Sequence, residues 1–242
     1  MFKQHISYKL TLIILFHLFL SNRSFAAKTL VCATSHYPPY TIFDQANNTF
    51  TGLDMAIIVP LFKQLNYDVK IVNLPWARLK KEIKNNHYDC YFSLAKFKYR
   101  EELLEYLNIP THTTKIAIFH QKSLKDINFK NKTVGVHRGI NFHRDILALY
   151  GLQHADFHRL PSNETLFQML HRKRVDAVVT SKAVGEYILK NQYKAFDIGV
   201  LDINEYRLPV YLAFKKGVLD INLVNKTLLA ILNPPILPEP KL

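Results

Sequence analysis

Glycine is scarce in this chain, at 7 of 242 residues. None of the seven falls in a dinucleotide-binding fingerprint or a P-loop, so the glycine-rich cradles for nucleotide phosphates are absent. There is no Gly-x-Ser-x-Gly and no His-Glu-x-x-His, which removes two common hydrolase signatures. Cysteine is limited to Cys32 and Cys90. Two isolated thiols without metal-ligand spacing make no zinc site, and no metal or cofactor is expected. Tryptophan occurs once, at Trp76, and acidic residues number 19 against 32 Lys and Arg. Past residue 20 no long apolar run occurs, so the chain beyond it is expected to be soluble.

The one apolar run that is present lies at the start. Residues 1–9 carry Lys3 and Lys9 and no acid, residues 10–20 are almost wholly apolar, broken by His17, and Ser24-Phe25-Ala26 follows. A positive segment, a short apolar segment and a small-x-small site form an export signal, with cleavage expected after Ala26. The run falls short of the ~20 residues a spanning helix needs. No Cys follows it closely, so a lipid anchor is not expected. Removing 26 of the 242 residues leaves 216 and takes Lys3, Lys9 and Arg23, so a formal charge of +13 becomes +10.

A chain of that length makes one large domain or two small ones. Hydrophobic residues at 48% suffice for a core, and charged residues at 21% argue against disorder. The basic residues are spread along the chain. The densest run, His171-Arg172-Lys173-Arg174, sits at the end of a predicted helix, where cations complement the dipole. Export makes a nucleic-acid partner unexpected. In an oxidising compartment Cys32 and Cys90 could bridge, but both fall in predicted buried strands, where cysteine acts as a small hydrophobe. They are read as two buried thiols, with a bridge as the alternative.

Strand-like and helix-like stretches alternate. Strands are predicted at 29–34, 69–74, 90–94, 133–136, 157–160, 177–180 and 210–214. Helices are predicted at 54–65, kinked by Pro60, and at 77–85, 142–150, 163–171, 183–190 and 220–232. Ser162 and Asp220 read as N-caps, and Asn66 and Asn86 as helix C-terminal residues in the left-handed conformation. Such alternation means βαβ units and a mostly parallel sheet. The prolines at 234, 235, 238 and 240 make 233–242 an irregular tail.

Several motifs recur in a telling order. A first strand ends in Tyr37-Pro38-Pro39-Tyr40, and Gly52-Leu53-Asp54 precedes a helix. Pro75-Trp76-Ala77-Arg78 follows, then Asp89 at the opening of a strand, and Arg100 about a turn beyond it. Farther on come Lys132-Thr133-Val134-Gly135-Val136 with Gly139, and Arg174-Val175-Asp176-Ala177-Val178-Val179, and a return strand over 209–215. Over about 28–232 this series resembles the family 3 periplasmic solute-binding proteins, the type II binding proteins that commonly serve amino-acid ABC transporters.

The resemblance implies an α/β fold of two lobes, each a mostly parallel sheet flanked by helices, with the ligand cleft between them. Residues 28–114 with 208–242 would form one lobe and 115–207 the other. It also implies a monomer in the periplasm that captures a small-molecule ligand by hinge closure and delivers it to an ABC permease. Arg100 would grip a ligand carboxylate, for which a guanidinium fork is well matched. Tyr37 and Trp76 would wall the cleft, while Tyr40 serves equally as wall or as core. Arg78 is either a second anion contact or solvated. Ser93 and Ala95 would turn a hydroxyl and backbone groups to the ligand. Gly139, Ile140 and Asn141 precede a helix whose free N–H groups favour an anion, or are bare loop. Amino-acid binders usually place an acid for the ligand ammonium where this chain has Thr180-Ser181. The charge partner for an amino group is thus missing unless Glu186 or Asp202 supplies it, Ser181 is kept as a ligand contact, and an organic acid, a modified amino acid or another small polar molecule fits as well as a standard amino acid. The alternatives are a periplasmic dehydratase-like enzyme on the same scaffold, with Glu164 or Glu186 as its acid or base, and a ligand sensor for a membrane receptor.

Overall fold

A computed structural model of the chain describes residues 27–233, apart from 125, 126, 141, 143 and 195. The export signal, the tail beyond Asn233 and Asn141 therefore lie outside the described residues. In chain order the first elements are β1 (Lys28–Thr34), a hairpin of β2 (Ile42–Asp44) and β3 (Thr49–Thr51), α1 (Leu53–Gln64), β4 (Tyr67–Asn73) and α2 (Trp76–Lys84). Next come β5 (Cys90–Ala95), α3 (Lys98–Glu101), β6 (Leu104–Tyr106) and β7 (His112–Gln121). Then follow β8 (Thr133–His137), α4 (Arg144–Ala148), a 3-10 segment (Leu149–His154), β9 (Asp156–Leu160), α5 (Asn163–His171) and β10 (Ala177–Ser181). The chain closes with α6 (Lys182–Gln192), β11 (Ile198–Lys215) and α7 (Ile221–Leu232).

The main sheet runs β4-β1-β5-β11-β7-β10-β8-β9, with β6 on β11. β1 lies parallel between β4 and β5, and β8 parallel between β9 and β10. These two parallel units are joined by antiparallel β7 and β11, whose mutual register shifts between Ile203 and Arg207. The core divides the same way. Two apolar clusters draw only on residues 30–109 and 211–231, and two on residues 116–206, into one of which Tyr37 reaches. The molecule is thus two α/β lobes strung on two long strands, the type II periplasmic binding architecture.

Local sequence explains the ends of the elements. Ser162 Oγ accepts from the Thr165 N–H and Asp220 from the Asn222 and Leu223 N–H groups, capping α5 and α7. Asn66 and Asn86 take positive φ just past α1 and α2, the left-handed termination expected of them. Helix α1 runs unbroken through Pro60.

Three expectations are corrected. The helix expected over 142–150 holds α-geometry only over Arg144–Ala148, because Tyr150 and Gly151 adopt positive φ and turn the chain. β7, the first half of β11, β6 and the β2–β3 hairpin were not expected as strands. Cys32 and Cys90 are not free thiols but form a disulfide, with Cα atoms 4.5 Å apart. They stand directly opposite each other on parallel neighbours β1 and β5, close enough for a bridge. That adjacency comes from strand order, which no local pattern encodes.

Candidate functional site

The carboxyl ends of the parallel strands face the gap between the lobes, the place where such sheets hold ligands. From the first lobe these ends carry Thr34, Asn73 and Ala95, and from the second His137 and Ser181.

Arg100 is anchored inside that region and is only 2% exposed. Short helix α3 turns it back over its own strand, where Nη1 donates to the Ala95 carbonyl at 2.8 Å. Tyr106 donates to the same carbonyl at 3.2 Å, and burial pushes its phenol pKa well up despite the neighbouring guanidinium. Three rings surround the Arg100 guanidinium, at 4.9 Å for Phe97, 5.4 Å for Tyr99 and 5.5 Å for Trp76. Cation–π attraction of this kind strengthens where water is excluded. The Ala95 carbonyl is the only protein acceptor bonded to the guanidinium among the described residues, and a carboxylate is the natural guest for the other donors.

Lys80 completes a cationic end. Its Nζ crosses from α2 to the Gly139 carbonyl at 2.8 Å. Gly139 has φ of 85°, and a Cβ there would sit 3.2 Å from Lys80 Cε and Nζ and 3.5 Å from Trp76 Cδ1. Its lack of a side chain therefore lets the lobes meet. Burial, then the charges of Arg100 and Lys84, lower the Lys80 pKa.

The opposite end is aromatic and polar. Tyr40 stacks on His112 with ring centroids 3.5 Å apart and planes 4° apart, and Tyr37 stacks beside Tyr40 at 5.7 Å. His112 Nδ1 meets Asp54 Oδ1 at 3.1 Å, and Ser93 donates its hydroxyl to Asp54 Oδ2. Asp54 is 1% exposed. Its N–H donates to the Tyr40 carbonyl at 3.0 Å. The preceding Gly52, at φ 112°, lets the Tyr37–Tyr40 turn lie against α1, since a Cβ there would be 2.7 Å from the Pro39 oxygen. Burial raises the Tyr40 pKa to about 12, helped by Tyr37, Asp54 and Glu186. Burial likewise raises that of Tyr37, partly offset by nearby Ser181 and Thr114. No hydrogen bond of ordinary geometry joins Ser181 Oγ to any described partner.

Among the described residues one ion pair bridges the lobes, His36 Nε2 to Glu164 Oε1 at 3.4 Å. That contact holds the Glu164 pKa below the ordinary carboxylate range against the opposing effect of burial. Burial pushes the pKa of nearby His137 down.

The expected contacts thus fall into groups. Trp76, Arg100 and Gly139 come together in one group, and Tyr37, Tyr40 and Ser181 in another. The Arg78 side chain is 67% exposed and pairs with Glu82 at 3.7 Å, which is the solvated alternative. Ser93 spends its hydroxyl on Asp54, and the Ala95 carbonyl is taken by Arg100 and Tyr106. The Ile140 N–H closes a turn onto His137, and its carbonyl accepts from Arg159. α4 starts only at Arg144, so no helix N-terminus is offered by Ile140. Asp202 Oδ2 accepts from Lys182 at 2.7 Å, while its buried Oδ1 has no partner among the described residues. Sequence reading passed over Lys80, His112 and the site role of Asp54. Gly-Leu-Asp flagged Asp54 as a motif, but nothing local marks His112, because its position depends on β7.

The described buried side-chain atoms without a partner include Thr34 Oγ1, Asn73 Oδ1 and Ser181 Oγ at strand ends, Trp76 Nε1 beside Arg100 and His112 Nε2 under Tyr40. Buried polar groups are normally satisfied, so these atoms are candidates for bonds to a polar guest or to water. Among the described residues no cluster of metal-ligating side chains occurs, and no helix is long and apolar enough to cross a membrane.

The family model for bacterial extracellular solute-binding proteins, family 3, matches residues 30–232, and the chain belongs to that family. Among solved structures, an ancestral arginine-binding protein bound to arginine superposes with a TM-score of 0.71 at 21% identity, over 86% of this chain and 94% of that one. The arginine-, lysine-, histidine-binding protein ArtJ from the thermophilic bacterium Geobacillus stearothermophilus gives 0.71 at 19% identity, over 85% and 90%. The ancestral amino acid-binding protein AncCDT-1, a precursor of cyclohexadienyl dehydratase, gives 0.69 at 23% identity, over 85% and 90%. At such identities the likeness is one of fold. No curated protein matches the sequence.

Proposed function

We propose that this protein is a periplasmic solute-binding protein that shuts its lobes over a small polar, carboxylate-bearing solute, an amino acid or a relative of one, and delivers it as a monomer to an ABC permease. The lobes divide at 114/115 and 207/208, beside the register shift of β11, so that bending two strands opens the cleft. The observation that carries the reading is Arg100, a buried guanidinium in an aromatic enclosure with one bonded protein acceptor among the described residues. Family membership and neighbours with bound arginine, glutamine and histidine support an amino-acid-like guest.

An enzyme on this scaffold has less in its favour. A general acid needs a raised pKa, whereas the Glu164 pKa is lowered by His36, and the Glu186 side chain is 57% exposed. The test is a melting screen of the mature protein against amino acids, organic acids and amines. A true ligand at ~100 times its Kd should add about 2.7 kcal/mol of stability. Stabilisation by amines alone would refute the carboxylate reading, and turnover of a hit by mass spectrometry would favour the enzyme.

A further inference from the structure

We propose that the end of the second lobe turned away from the cleft is a docking surface for an anionic phospholipid bilayer, one that holds the protein at a membrane while the cleft stays open to solvent. The inference goes beyond the binding-protein reading and does not depend on which solute is bound.

Strand order builds this surface. The parallel strands β8, β9 and β10 finish at the cleft, so their first residues lie at the opposite pole, about 15 Å away. Three segments meet there beside the end of β7. Residues 130–132 lead into β8, where the Asp156 N–H donates to the Lys132 carbonyl and the Thr133 N–H to Asp176. Residues 172–174 lead from α5 towards β10, and the Lys173 and Arg174 N–H groups close the helix onto the Leu170 and Met169 carbonyls. The Gln121 side chain, at the end of β7, donates to the same Leu170 carbonyl. The turn after α6 joins them, because the His171 ring packs on Tyr193 at 5.0 Å and on Phe196 at 4.7 Å. The pole thus carries Lys130, Lys132, Arg172, Lys173, Arg174 and Lys194, all exposed except the half-buried Lys132.

The acids of this pole are fewer and engaged. Asp176 accepts from the Thr133 N–H, Asp197 pairs with Lys122 at 2.7 Å, and Asp156 pairs with His158 at 3.3 Å. Lys125 and Asp126, outside the described residues, cancel in formal charge. The dipole of α5 accounts for cations at its own end, but not for Lys130, Lys132 and Lys194, which arrive from other segments. Long side chains from separate segments make a diffuse array, suited to mobile phosphates and not to one fixed set of carboxylates. Half-buried Tyr193 and Phe196 stand beside it, and Ile127, three residues before Lys130, is 42% exposed. Aromatic residues of this kind favour the headgroup region. Each cation that reaches an anionic surface adds about fivefold to partitioning, so three touching at once give about a hundredfold.

The test is co-sedimentation of the mature protein with vesicles of phosphatidylcholine, alone or with a third of phosphatidylglycerol, at low and high salt. Binding is expected to the anionic vesicles only, and is expected to fall as salt rises. Arg172→Gln with Lys173→Gln and Arg174→Gln should cut partitioning at least tenfold. The control, Lys28→Gln with Lys70→Gln and Lys216→Gln, removes the same charge from exposed sites of the first lobe and should leave partitioning within twofold. Lys130→Gln with Lys132→Gln should cost at least threefold, and decides should the first variant not fold. No binding to anionic vesicles, equal binding to both kinds, or equal loss in the pole and control variants would overturn the proposal. Retention on immobilised polyglutamate without vesicle binding would overturn it too, and would mark the pole as a face for an acidic protein. These substitutions leave the cleft untouched, so either result leaves the solute-binding reading standing.

Discussion

Lys80 Nζ donates to the carbonyl of Gly139, 59 residues farther along the chain, at 2.8 Å. This contact ties α2 of the first lobe to the turn after β8 of the second, beside Trp76. A hydrogen bond of this kind contributes about 1 kcal/mol net where it stays partly solvated. Lys80→Met should therefore weaken ligand affinity about fivefold, chiefly through faster release. Stopped-flow fluorescence can follow it, since Trp76 is the sole tryptophan and lies against the same turn. An unchanged release rate would remove Lys80 from the closed state.

Arg100 joins binding to stability. Arg100→Ala should abolish measurable binding of any carboxylate ligand. It also leaves a cavity among Phe97, Tyr99 and Trp76 and takes a donor from the Ala95 carbonyl, at a cost of about 1–3 kcal/mol. A domain of ordinary stability, roughly 5–15 kcal/mol, survives that loss. Circular dichroism with calorimetry would check both halves, and a folded variant with wild-type affinity contradicts the site.

The disulfide closes a loop of sequence separation 58 in the first lobe. Removing a native bridge of this kind typically costs about 2–5 kcal/mol. Cys32→Ala with Cys90→Ala, or reduction of the wild type, should lower the melting temperature without changing the binding stoichiometry. A reduced protein that melts unchanged would show that the bridge adds nothing.

Gly52→Ala would force a Cβ against the Pro39 and Tyr40 carbonyls at a φ of 112° that only glycine adopts readily. Strain of this sort costs about 1–3 kcal/mol before any clash. The Tyr37–Tyr40 turn should be displaced and affinity lost with stability. Retention of both would mean that the turn does not set the aromatic wall.

The His36–Glu164 pair gives a pH dependence with a definite sign. The folded-state pKa of Glu164 is lowered, with the His36 contact as the largest cause. Its contribution is therefore present above the ordinary glutamate value of about 4.3 and is lost as the pH falls through the lower folded value. The pair is a third or more exposed, so screening limits the effect to under about 1 kcal/mol. Glu164→Gln should flatten the acid limb of stability against pH below about 4.3. An acid limb identical to wild type would show that the pair does not couple the lobes.

Much of the frame was legible in the chain. Apolar periodicity located α1 and α2, Ser162 and Asp220 announced their caps, and Asn66 and Asn86 marked helix ends, because each effect acts within a few residues. The motif order pointed to two lobes, and Trp76 lies against Arg100 as Tyr37 lies against Tyr40. The crossing strands were less legible. β7 pairs with β11 across more than 75 positions, and a strand whose partner lies that far away carries only a weak local signal.

Side-chain type marked Arg100 as a group able to hold an acid, and the family resemblance marked Thr180-Ser181 as the place where an ammonium partner is usual. It could not tell that Arg100 would lie in an aromatic enclosure, that Cys32 would meet Cys90, or that His112 would be pinned by Asp54. Those outcomes depend on which strands become neighbours and in what register. Register is chosen by the burial of whole faces at once, and so it belongs to the packed molecule and not to any stretch of chain.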